Sequence, residues 1–484
     1  MANISFNGFE NYENGGLTDM ANVTNPRETG DLEAQNMPVF FENNAWSKLS
    51  NWNSYVNYKY HIGIERGIQV TEDSVTNVFI PVTSFIYTFR SESDYKKYYE
   101  RSMNMNPEGF YNVKRLNNAL YVNSAFTLDS TRFSQMKHIL GIMLNEEYNT
   151  LARFGLTGYA TVDIKNYTYL DGRNTSKPND ADSLLGYLIN PAYKKESRYK
   201  VGVGANLAKR LGKAFTYDFG GEYFFVTEKK RAVSYTLEGN IQSKFNLWKQ
   251  EINLGAQAEY RRECPDLLEE YYFSNHIKWD TAFSHKNIFL TKGVLTFPSF
   301  PFYPSFGLSL MAGLQNLKYY IYWDETAMPK QCNNNIQIID FTIKQRIKFL
   351  WYLHWDNVVT WQKTSEPAVI PLPAVCWYSN FYFMYEKIFD VLDVQVGADM
   401  RYNTKYYAPN YLPATGMFYQ QNEYQTGGYP HINAYINCHL KQARFFFIYN
   451  HLNKGFGSNN YLILPGYALN PAYFKLGVSL FLAD

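Results

Sequence analysis

From about Ser197 to the C-terminus, apolar and polar residues of this chain alternate with a period of two. In the first of these segments, Val201 and Val203 alternate with Lys200 and Gly202. The same alternation returns in segments 215–225, 233–242 and 252–261 and continues toward residue 484. Since successive side chains of a strand point to opposite faces, each segment predicts a strand with one apolar and one polar face.

Many such segments, with no helical period between them, favour an all-β fold. Strands that are apolar on one face and polar on the other fit an antiparallel transmembrane β-barrel, whose exterior contacts lipid and whose lumen is wet. Segments 55–64 and 78–89 also read as strands, whereas 119–126 and 138–144 are ambiguous. We expect about 16–20 strands in all. The barrel is expected to span 51–484, and the polar segment 1–50 to be a loop or the remnant of a longer N-terminus.

The connections between the predicted strands alternate between long and short. The long ones are 91–117, 165–196, 325–335, 363–371, 403–428 and 451–470, and the short ones lie at 210–213, 284–287 and near 315, 350, 387 and 441. Outer-membrane barrels have tight periplasmic turns and long extracellular loops. This pattern therefore predicts that the C-terminus lies on the periplasmic side, and that 403–428 or 165–196 folds inward to narrow a pore.

Composition narrows the class of protein. The chain has 484 residues, of which 18% are aromatic, and its mean hydropathy is −0.39. No apolar run reaches the roughly 18 residues of a transmembrane helix. A net charge of +2 argues against nucleic acid as a partner. The four cysteines, Cys264, Cys332, Cys376 and Cys438, show no metal-binding or redox spacing.

The two chain ends carry different signals. Residues 1–53 show no basic start followed by an apolar core, so export of this chain predicts a longer precursor. At the other end, Phe474, Leu476, Val478 and Leu480 share one face of a last amphipathic strand, of the kind that barrel-assembly machinery recognises. Trp248, Trp351 and Trp361 lie near predicted strand ends on the apolar phase, as expected for an interfacial aromatic girdle.

Several local sequences resemble those of one known family. They are 262–279 (RECPDLLEEYYFSNHIKW), 361–362 (WQ), 370–373 (IPLP), 406–409 (YYAP), 428–432 (GYPHI), 443–446 (ARFF) and 449–452 (YNHL). From about Asn51 onward the chain is similar to the putative porin family of Bacteroidetes-type outer membranes, as an N-terminally shortened member. The resemblance implies a diffusion channel.

Catalytic and cofactor motifs are not found in the sequence. It contains no G-x-S-x-G, H-E-x-x-H or P-loop pattern, and Gly202-x-Gly204 lies within an alternating strand. His354 and Asp356 share one polar face, as do His431 and His439, and we interpret them as solvated lumen groups. We expect no enzyme activity, no cofactor and no metal site.

The sequence therefore predicts an outer-membrane porin-like channel of a Gram-negative bacterium, in contact with membrane lipid, for passive diffusion of small hydrophilic solutes. The alternatives are a non-conducting outer-membrane barrel acting as adhesin or binding scaffold, and a soluble aromatic-rich carbohydrate-binding β-protein. The predicted lumen-lining residues carry both signs of charge: Arg198, Lys200, Asp218, Glu222, Glu238, Lys249, Glu251, Glu259, Arg261, Lys278, Asp280, Asp340, Lys344, Arg346, Lys348, Asp356, Asp393, Asp399 and Arg401.

Overall fold

The computed structural model is built almost entirely from β-strands. It describes residues 1–24, 37–41, 44–71, 74–101, 110, 122, 126–146, 154–172, 192–226, 233–247, 250–299, 306–350, 352–388, 390–456 and 460–480. Eighteen strands form one sheet. These wall strands are β1 (Ala2–Tyr12), β2 (Ala45–Thr71), β3 (Ser74–Arg101), β4 (Phe126–Leu144), β5 (Gly155–Asp171), β6 (Ala192–Lys209), β7 (Phe215–Val226), β8 (Ser234–Leu247), β9 (Gln250–Glu263), β12 (Lys286–Phe297), β13 (Phe306–Lys318), β16 (Asn335–Phe349), β17 (Leu353–Thr364), β18 (Val375–Ile388), β19 (Leu392–Asn403), β22 (His431–Leu440), β23 (Ala443–Asn450) and β26 (Tyr473–Leu480).

The connections between wall strands contain further short elements. Four small hairpins are β10 (Tyr271–Phe273) with β11 (Lys278–Asp280), β14 (Ile321–Trp323) with β15 (Pro329–Gln331), β20 (Asn410–Leu412) with β21 (Met417–Tyr419), and β24 (Leu462–Leu464) with β25 (Tyr467–Ala468). Two helices of one turn each are α1 (Ala21–Thr24) and α2 (Leu267–Glu270). None of the helices in the described part of the chain is long and apolar enough to cross a membrane.

Each wall strand pairs in antiparallel fashion with the next wall strand along the chain. In the β5–β6 ladder, for example, Asp163 lies opposite Lys200, and in the β6–β7 ladder Gly204 lies opposite Glu222. The all-β antiparallel barrel is thus confirmed, and its 18 strands lie within the expected range.

The apolar phase of the strands points away from the barrel interior. Val203, Leu237 and Leu254 expose 51%, 54% and 47% of their surface, although all three are large apolar residues within regular strands. Side chains of this kind, exposed along whole strands, mark the lipid-facing surface of a barrel. Trp361 also belongs to this outer face, while Trp248 and Trp351 lie outside the described residues.

Long and short connections alternate between the two ends of the barrel. The long-loop end carries 13–44, 102–125, 172–191, 227–233, 264–285, 319–334, 365–374, 404–430 and 451–472. The short-turn end carries 72–73, 145–154, 210–214, 248–249, 298–305, 350–352, 389–391 and 441–442. Every connection at the long-loop end that follows β9 is longer than the short-turn connections on either side of it, as the connection pattern predicted.

Two of the expected connections were wrong. The segment 284–287 is the end of a long connection, because Lys278–Asp280 belongs to the β10–β11 hairpin rather than to the wall. Gln315 lies within the continuous strand β13 rather than at a turn. In both places the residues do alternate with a period of two. This alternation indicates an extended strand but does not identify the strand with which it pairs.

The N-terminal third also differs from the sequence expectation. Residues 2–12, expected to lie outside the barrel, form wall strand β1, and β2 begins at Ala45. Ile4 and Phe6 alternate with polar neighbours here too, but the surrounding asparagines and glycine mask the pattern. Strand β3 runs on to Arg101, and the ambiguous region after residue 125 is the single long strand β4.

The connection after the first wall strand and the connection before the last one contact each other at the long-loop end. There the Leu17 N–H donates to the Gly466 carbonyl oxygen at 2.8 Å, and Leu17, Val23 and Leu462 form a buried apolar cluster. Among the described residues, no backbone hydrogen bond joins β26 to β1. Since these two strands run in opposite directions, a pairing between them would complete an antiparallel ladder.

The assignment of faces predicts opposite effects of arginine on the two sides of β8. Ile241→Arg places a charge on the lipid-facing surface near the centre of the strand, and we expect it to destabilise the barrel by about 2–4 kcal/mol. Asn240→Arg on the inner face, beside Asp218, should be tolerated. Heat-modifiable gel migration in a urea series would measure both variants, and equal tolerance of the two would contradict the assignment.

Candidate functional site: a charged lumen beneath an inserted cap

The inner face of β4–β7 carries a network of opposite charges. Glu222 accepts a hydrogen bond from Thr161 Oγ1 at 2.6 Å and lies 3.3 Å from Lys137 Nζ. Asp163 lies 3.7 Å from Lys200 Nζ. Residues opposite one another in an antiparallel ladder share a face, so the register of these strands places acids beside bases. This part of the wall therefore presents charges of both signs that neutralise one another locally.

A second charge cluster shows that this polar face points into the barrel. Arg198 on β6 lies 3.1 Å from Glu196 and 3.9 Å from Glu270. Glu270 belongs to helix α2 in the connection 264–285. This connection therefore folds inward over the charged wall instead of extending away from it.

Helix α2 is fixed at its N-terminus by a capping box. The Asp266 side chain accepts from Leu268 N–H, while Glu269 Oε2 accepts from Asp266 N–H at 2.7 Å. The pattern Asp-x-x-Glu satisfies two otherwise unpaired backbone donors at a helix start. The same carboxylates contact the wall, because Tyr167 Oη donates to Asp266 at 2.9 Å and Lys286 Nζ to Glu269 at 2.9 Å.

The β10–β11 hairpin that follows α2 is hydrogen-bonded to β4 and β5. Asn275 Nδ2 donates to Thr127 Oγ1 at 2.8 Å, and the His276 ring lies 2.9 Å from the same hydroxyl. Tyr271 Oη donates to Asp171 at 2.9 Å. Ser274, Asn275 and His276 are buried. The tip of the hairpin is thus held against the inner wall by side-chain bonds from several residues.

Three inserted hairpins pack together at the long-loop end and form what we call the inserted cap: β10–β11, β14–β15 and β20–β21. The rings of Tyr272 and Trp279 stack at 4.8 Å, and Trp279 meets Trp323 edge-on at 6.5 Å. Leu412 and Tyr419 are buried in the same apolar cluster. Lys96 Nζ on the wall donates to the Ala414 carbonyl oxygen at 2.9 Å.

A cavity of about 670 Å³ lies beneath the inserted cap. Its surface is largely apolar and includes Phe9 and Phe133 from the wall and Tyr272, Trp279 and Trp323 from the cap, while Asp94, Lys96, Asp266 and Glu269 also line it. Concave, largely apolar sites with a few polar groups are typical of ligand-binding pockets. The barrel interior therefore has a largely apolar zone under the cap and a charged zone along the wall.

Sixteen of the nineteen predicted lumen residues lie on the inner face of wall strands. On this face are Arg198, Lys200, Asp218, Glu222, Glu238, Glu251, Glu259, Arg261, Asp340, Lys344, Arg346, Lys348, Asp356, Asp393, Asp399 and Arg401. Lys278 and Asp280 lie on β11 of the inserted cap instead, because the 264–285 connection folds as a hairpin. Lys249 lies outside the described residues.

The basic stripe of β16 lies far from the cap. Lys344, Arg346 and Lys348 occupy the part of β16 next to the short-turn end, where Arg346 lies 3.5 Å from Asp356. The cap lies at the other end of the barrel. The stripe therefore lies on the inner wall at the short-turn end, away from the inserted cap.

The sequence analysis did not predict the charged residues on the inner face of β3–β5. Lys96, Lys137, Asp163 and Lys165 all lie on the inner face, yet none was predicted. The signal was available on β5, where Asp163 and Lys165 alternate with Val162 and Ile164. The missing information was the register that brings these strands beside β6.

Among the described histidines and cysteines are residues that contact aromatic, acidic and imidazole groups. The His354 ring stacks on Tyr382 at 4.8 Å, and His439 lies 3.6 Å from Asp393. Cys264 Sγ lies 3.2 Å from the His285 ring. No group of three metal-ligating side chains was found among the residues that the structure describes.

Comparison with known proteins identifies a family. A family model described as a putative porin matches residues 1–484. The match covers the whole chain, including the wall strands and the inserted hairpins described above. No curated protein matches the chain.

Three solved structures with a similar fold are described as receptors. The open form of the ferric-catecholate import receptor Fiu from E. coli K12 superposes with a TM-score of 0.55 at 9% identity, covering 99% of this chain and 70% of that one. The siderophore receptor PirA from Acinetobacter baumannii gives 0.53 at 11%, covering 90% and 69%. A mutant of the ferric enterobactin receptor PfeA from Pseudomonas aeruginosa gives 0.52 at 10%, covering 90% and 68%. At such identities the similarity shows the barrel fold alone.

The β14–β15 hairpin of the cap is predicted to loosen in acid. Burial favours the neutral form of Asp324, but hydrogen bonds from Lys330, Thr326 and Met328 outweigh burial and hold its pKa below the usual value. A depressed carboxyl pKa stabilises the fold above the unfolded pKa of about 4, and this contribution is lost as pH falls through the folded value. The protection of the amides in 321–331, measured relative to the intrinsic exchange rate at each pH, should therefore fall in strong acid.

Two neighbouring substitutions test this dependence on Asp324. Asp324→Asn should remove the acid step and raise exchange at neutral pH, because the ion pair with Lys330 at 2.7 Å is lost. Glu325→Gln, at the exposed adjacent position, should keep the acid step. An unchanged acid step in Asp324→Asn would show that another group controls the hairpin.

Proposed function

The chain belongs to the putative porin family, and we propose that it forms a channel in the outer membrane of a Gram-negative bacterium for passive diffusion of small hydrophilic solutes. The observation that carries this proposal is the charged inner wall of an 18-stranded barrel. Barrels of about this size leave an aqueous lumen unless inserted segments fill it. Because the wall charges are mixed in sign, we expect only weak ion selectivity.

The inserted cap is the proposed size-limiting element of the channel. It lies across the long-loop end, where its apolar cluster packs together and Glu270 of the same connection pairs with Arg198 of the wall. Of the two connections expected to narrow the pore, 404–430 contributes the β20–β21 hairpin to the cap, and most of 165–196 lies outside the described residues. The 264–285 and 319–334 connections, which the sequence did not predict to narrow the pore, supply the other two hairpins.

A second candidate function is ligand binding without free conduction, as in a receptor or binding scaffold. The observation that favours it is the largely apolar cavity under the cap, together with the buried hydrogen bonds that hold the β10–β11 hairpin in place. Conductance separates the two functions, because a binding scaffold that keeps its cap closed passes no current.

Loosening the cap is predicted to raise conductance. Asp266→Ala removes the helix cap and the contacts with Tyr167 and Lys165, which should destabilise the hairpin by roughly 1–3 kcal/mol. The purified full chain is expected to conduct in planar lipid bilayers, with larger or noisier steps for Asp266→Ala. Asp340→Ala, which removes an inner-wall carboxylate on β16 without touching the cap, is the control for loss of a charge: it should change ion preference at most, and should not give the larger or noisier steps of a loosened cap.

Two outcomes would count against the channel. Absence of conductance in both the natural sequence and Asp266→Ala would contradict the proposal and favour the binding scaffold. Conductance that is equal in Asp266→Ala and Asp340→Ala would leave the channel but remove the cap as its size-limiting element.

Orientation in the membrane is the second part of the proposal: the long-loop end faces the exterior and the short-turn end the periplasm. Lys454 lies exposed in the connection 451–472, and Leu211 lies exposed in 210–214. In a variant without the native cysteines, Lys454→Cys should react with an impermeant thiol reagent on intact cells, whereas Leu211→Cys should react only after the membrane is opened. The reverse pattern would invert the topology.

The last strand is proposed as the contact for barrel-assembly machinery. On β26, Phe474, Leu476, Val478 and Leu480 face outward and are strongly exposed. One edge of this amphipathic strand pairs with β23; its apolar face and its other edge are what it would offer to a partner that adds strands.

A further inference from the structure

Strands β2 and β3 extend beyond the rest of the barrel wall at the short-turn end. Pairing of β1 with β2 ends where Ala2 lies opposite Val56, and pairing of β3 with β4 ends where Thr83 lies opposite Leu144. Beyond these points the two strands pair with each other as far as Thr71 and Ser74. Within the described residues, this protruding hairpin has no further strand beside it. We call residues 58–81 the β2–β3 arm.

The arm is long enough to reach well past the wall. The part beyond the end of β4 comprises 63–71 and 74–81, which at about 3.3 Å per residue corresponds to roughly 25–30 Å along the strands. An isolated two-stranded hairpin is marginally stable in water. A hairpin of this length therefore needs another surface to contact.

A β-bulge marks the base of the arm. The register shifts between Ile62 and Gly63, opposite Pro81 and Thr83. At Gly63 the Ile80 carbonyl oxygen and the Phe79 ring leave no room for a Cβ. Bulges bend a strand and increase its local twist. The arm is thus joined to the wall at a point where the hairpin bends.

One face of the arm continues the lipid-facing surface of the barrel. On β2, Tyr58, Tyr60, Ile62 and Ile64 follow Val56 on the outer phase. Ile62 and Ile64 expose 50% and 48% of their surface, as much as the lipid-facing residues of the wall. Across the hairpin, Ile80 lies opposite Ile64. The other face is more polar and includes Lys59 and Glu65.

We infer that the β2–β3 arm bends outward at this bulge and lies with its Ile62–Ile64 face on the phospholipid surface of the membrane leaflet at the short-turn end. The Ile62–Ile64 face is continuous with the lipid-facing wall, and an outward bend of the arm turns this face toward the membrane. An inward bend would turn the same apolar face toward water. Arg66 follows Ile64 on this face and is exposed, where it meets lipid phosphate.

An interfacial position also accommodates the backbone of the arm. The free edges of the hairpin carry unpaired N–H and C=O groups, which exclude it from the hydrocarbon core. At the headgroup level, water and lipid oxygens bond these groups while the apolar face is buried to a shallow depth. The arm would then widen the contact of the barrel with its membrane on one side, next to β1 and the β26–β1 seam.

Site-specific photocrosslinking tests the inference. The full chain carrying Ile64→p-benzoylphenylalanine would be reconstituted into vesicles of phosphatidylethanolamine and phosphatidylglycerol with a radiolabelled lipid. We expect lipid adducts several-fold above those of Glu65→p-benzoylphenylalanine, which presents the adjacent face, and close to those at Leu237 on the lipid-facing wall. Heat-modifiable migration would confirm that each variant is folded.

Three results of this experiment would contradict the lipid contact of the arm or the role of its bulge. Background lipid adducts at position 64, or equal yields at 64 and 65, would overturn the inference. In intact cells, a protein adduct at 64 in place of lipid would overturn it in favour of a periplasmic protein that docks on the arm. Gly63→Ala, which disturbs the bulge, should lower the yield at 64 and leave the yield at 237 unchanged; an unaltered yield at 64 would contradict the role of the bulge.

Discussion

Backbone hydrogen bonding in a medium without water is the constraint on which this structure depends. In lipid, each N–H and C=O of a spanning strand must find a partner in a neighbouring strand, and a continuous antiparallel ladder provides these partners. The wall strands from β1 to β26 form such a ladder in chain order. Once the ladder exists, the pleat of each strand assigns one phase to lipid and the other to the lumen, so the alternation in the sequence follows from the backbone rather than from any one side chain.

The same constraint explains which parts of the fold could be predicted from the sequence. Val203 and Lys200 were assigned correctly to opposite faces, because a period of two is a local property of the chain. Lys278, Trp279 and Asp280 also alternate between polar and apolar, but they form strand β11 of a small hairpin inside the barrel. A wall strand and a hairpin strand differ only in their partners, and the pairing partners lie far apart in sequence, outside the reach of a pattern read along one segment.

The residues of the candidate site also divide into those that the sequence could predict and those that it could not. Wall charges such as Glu222 were predicted to line the lumen because they lie on the polar phase of a regular strand. Lys137, the partner of Glu222 on β4, was not predicted. Helix α2 could have been found from Asp266 and Glu269, since Asp-x-x-Glu is a recognisable capping box. The position of helix α2 could not have been predicted, because it depends on contacts with Arg198 and Tyr167 from strands some 70–100 residues earlier.

The wall and the cap differ in how their stability is built. The wall is a cooperative ladder that loses pairings on both sides if one strand is displaced, whereas the cap is held by an apolar cluster and by individual side-chain bonds such as Lys96 to Ala414. Elements with fewer shared hydrogen bonds open at lower free energy than the core of the sheet. We therefore expect motion to be concentrated in the cap, which can change without disturbing the barrel. In the channel that we propose, the wall would supply the path and the membrane contact, and changes in loop sequence would alter what passes while the ladder stays the same.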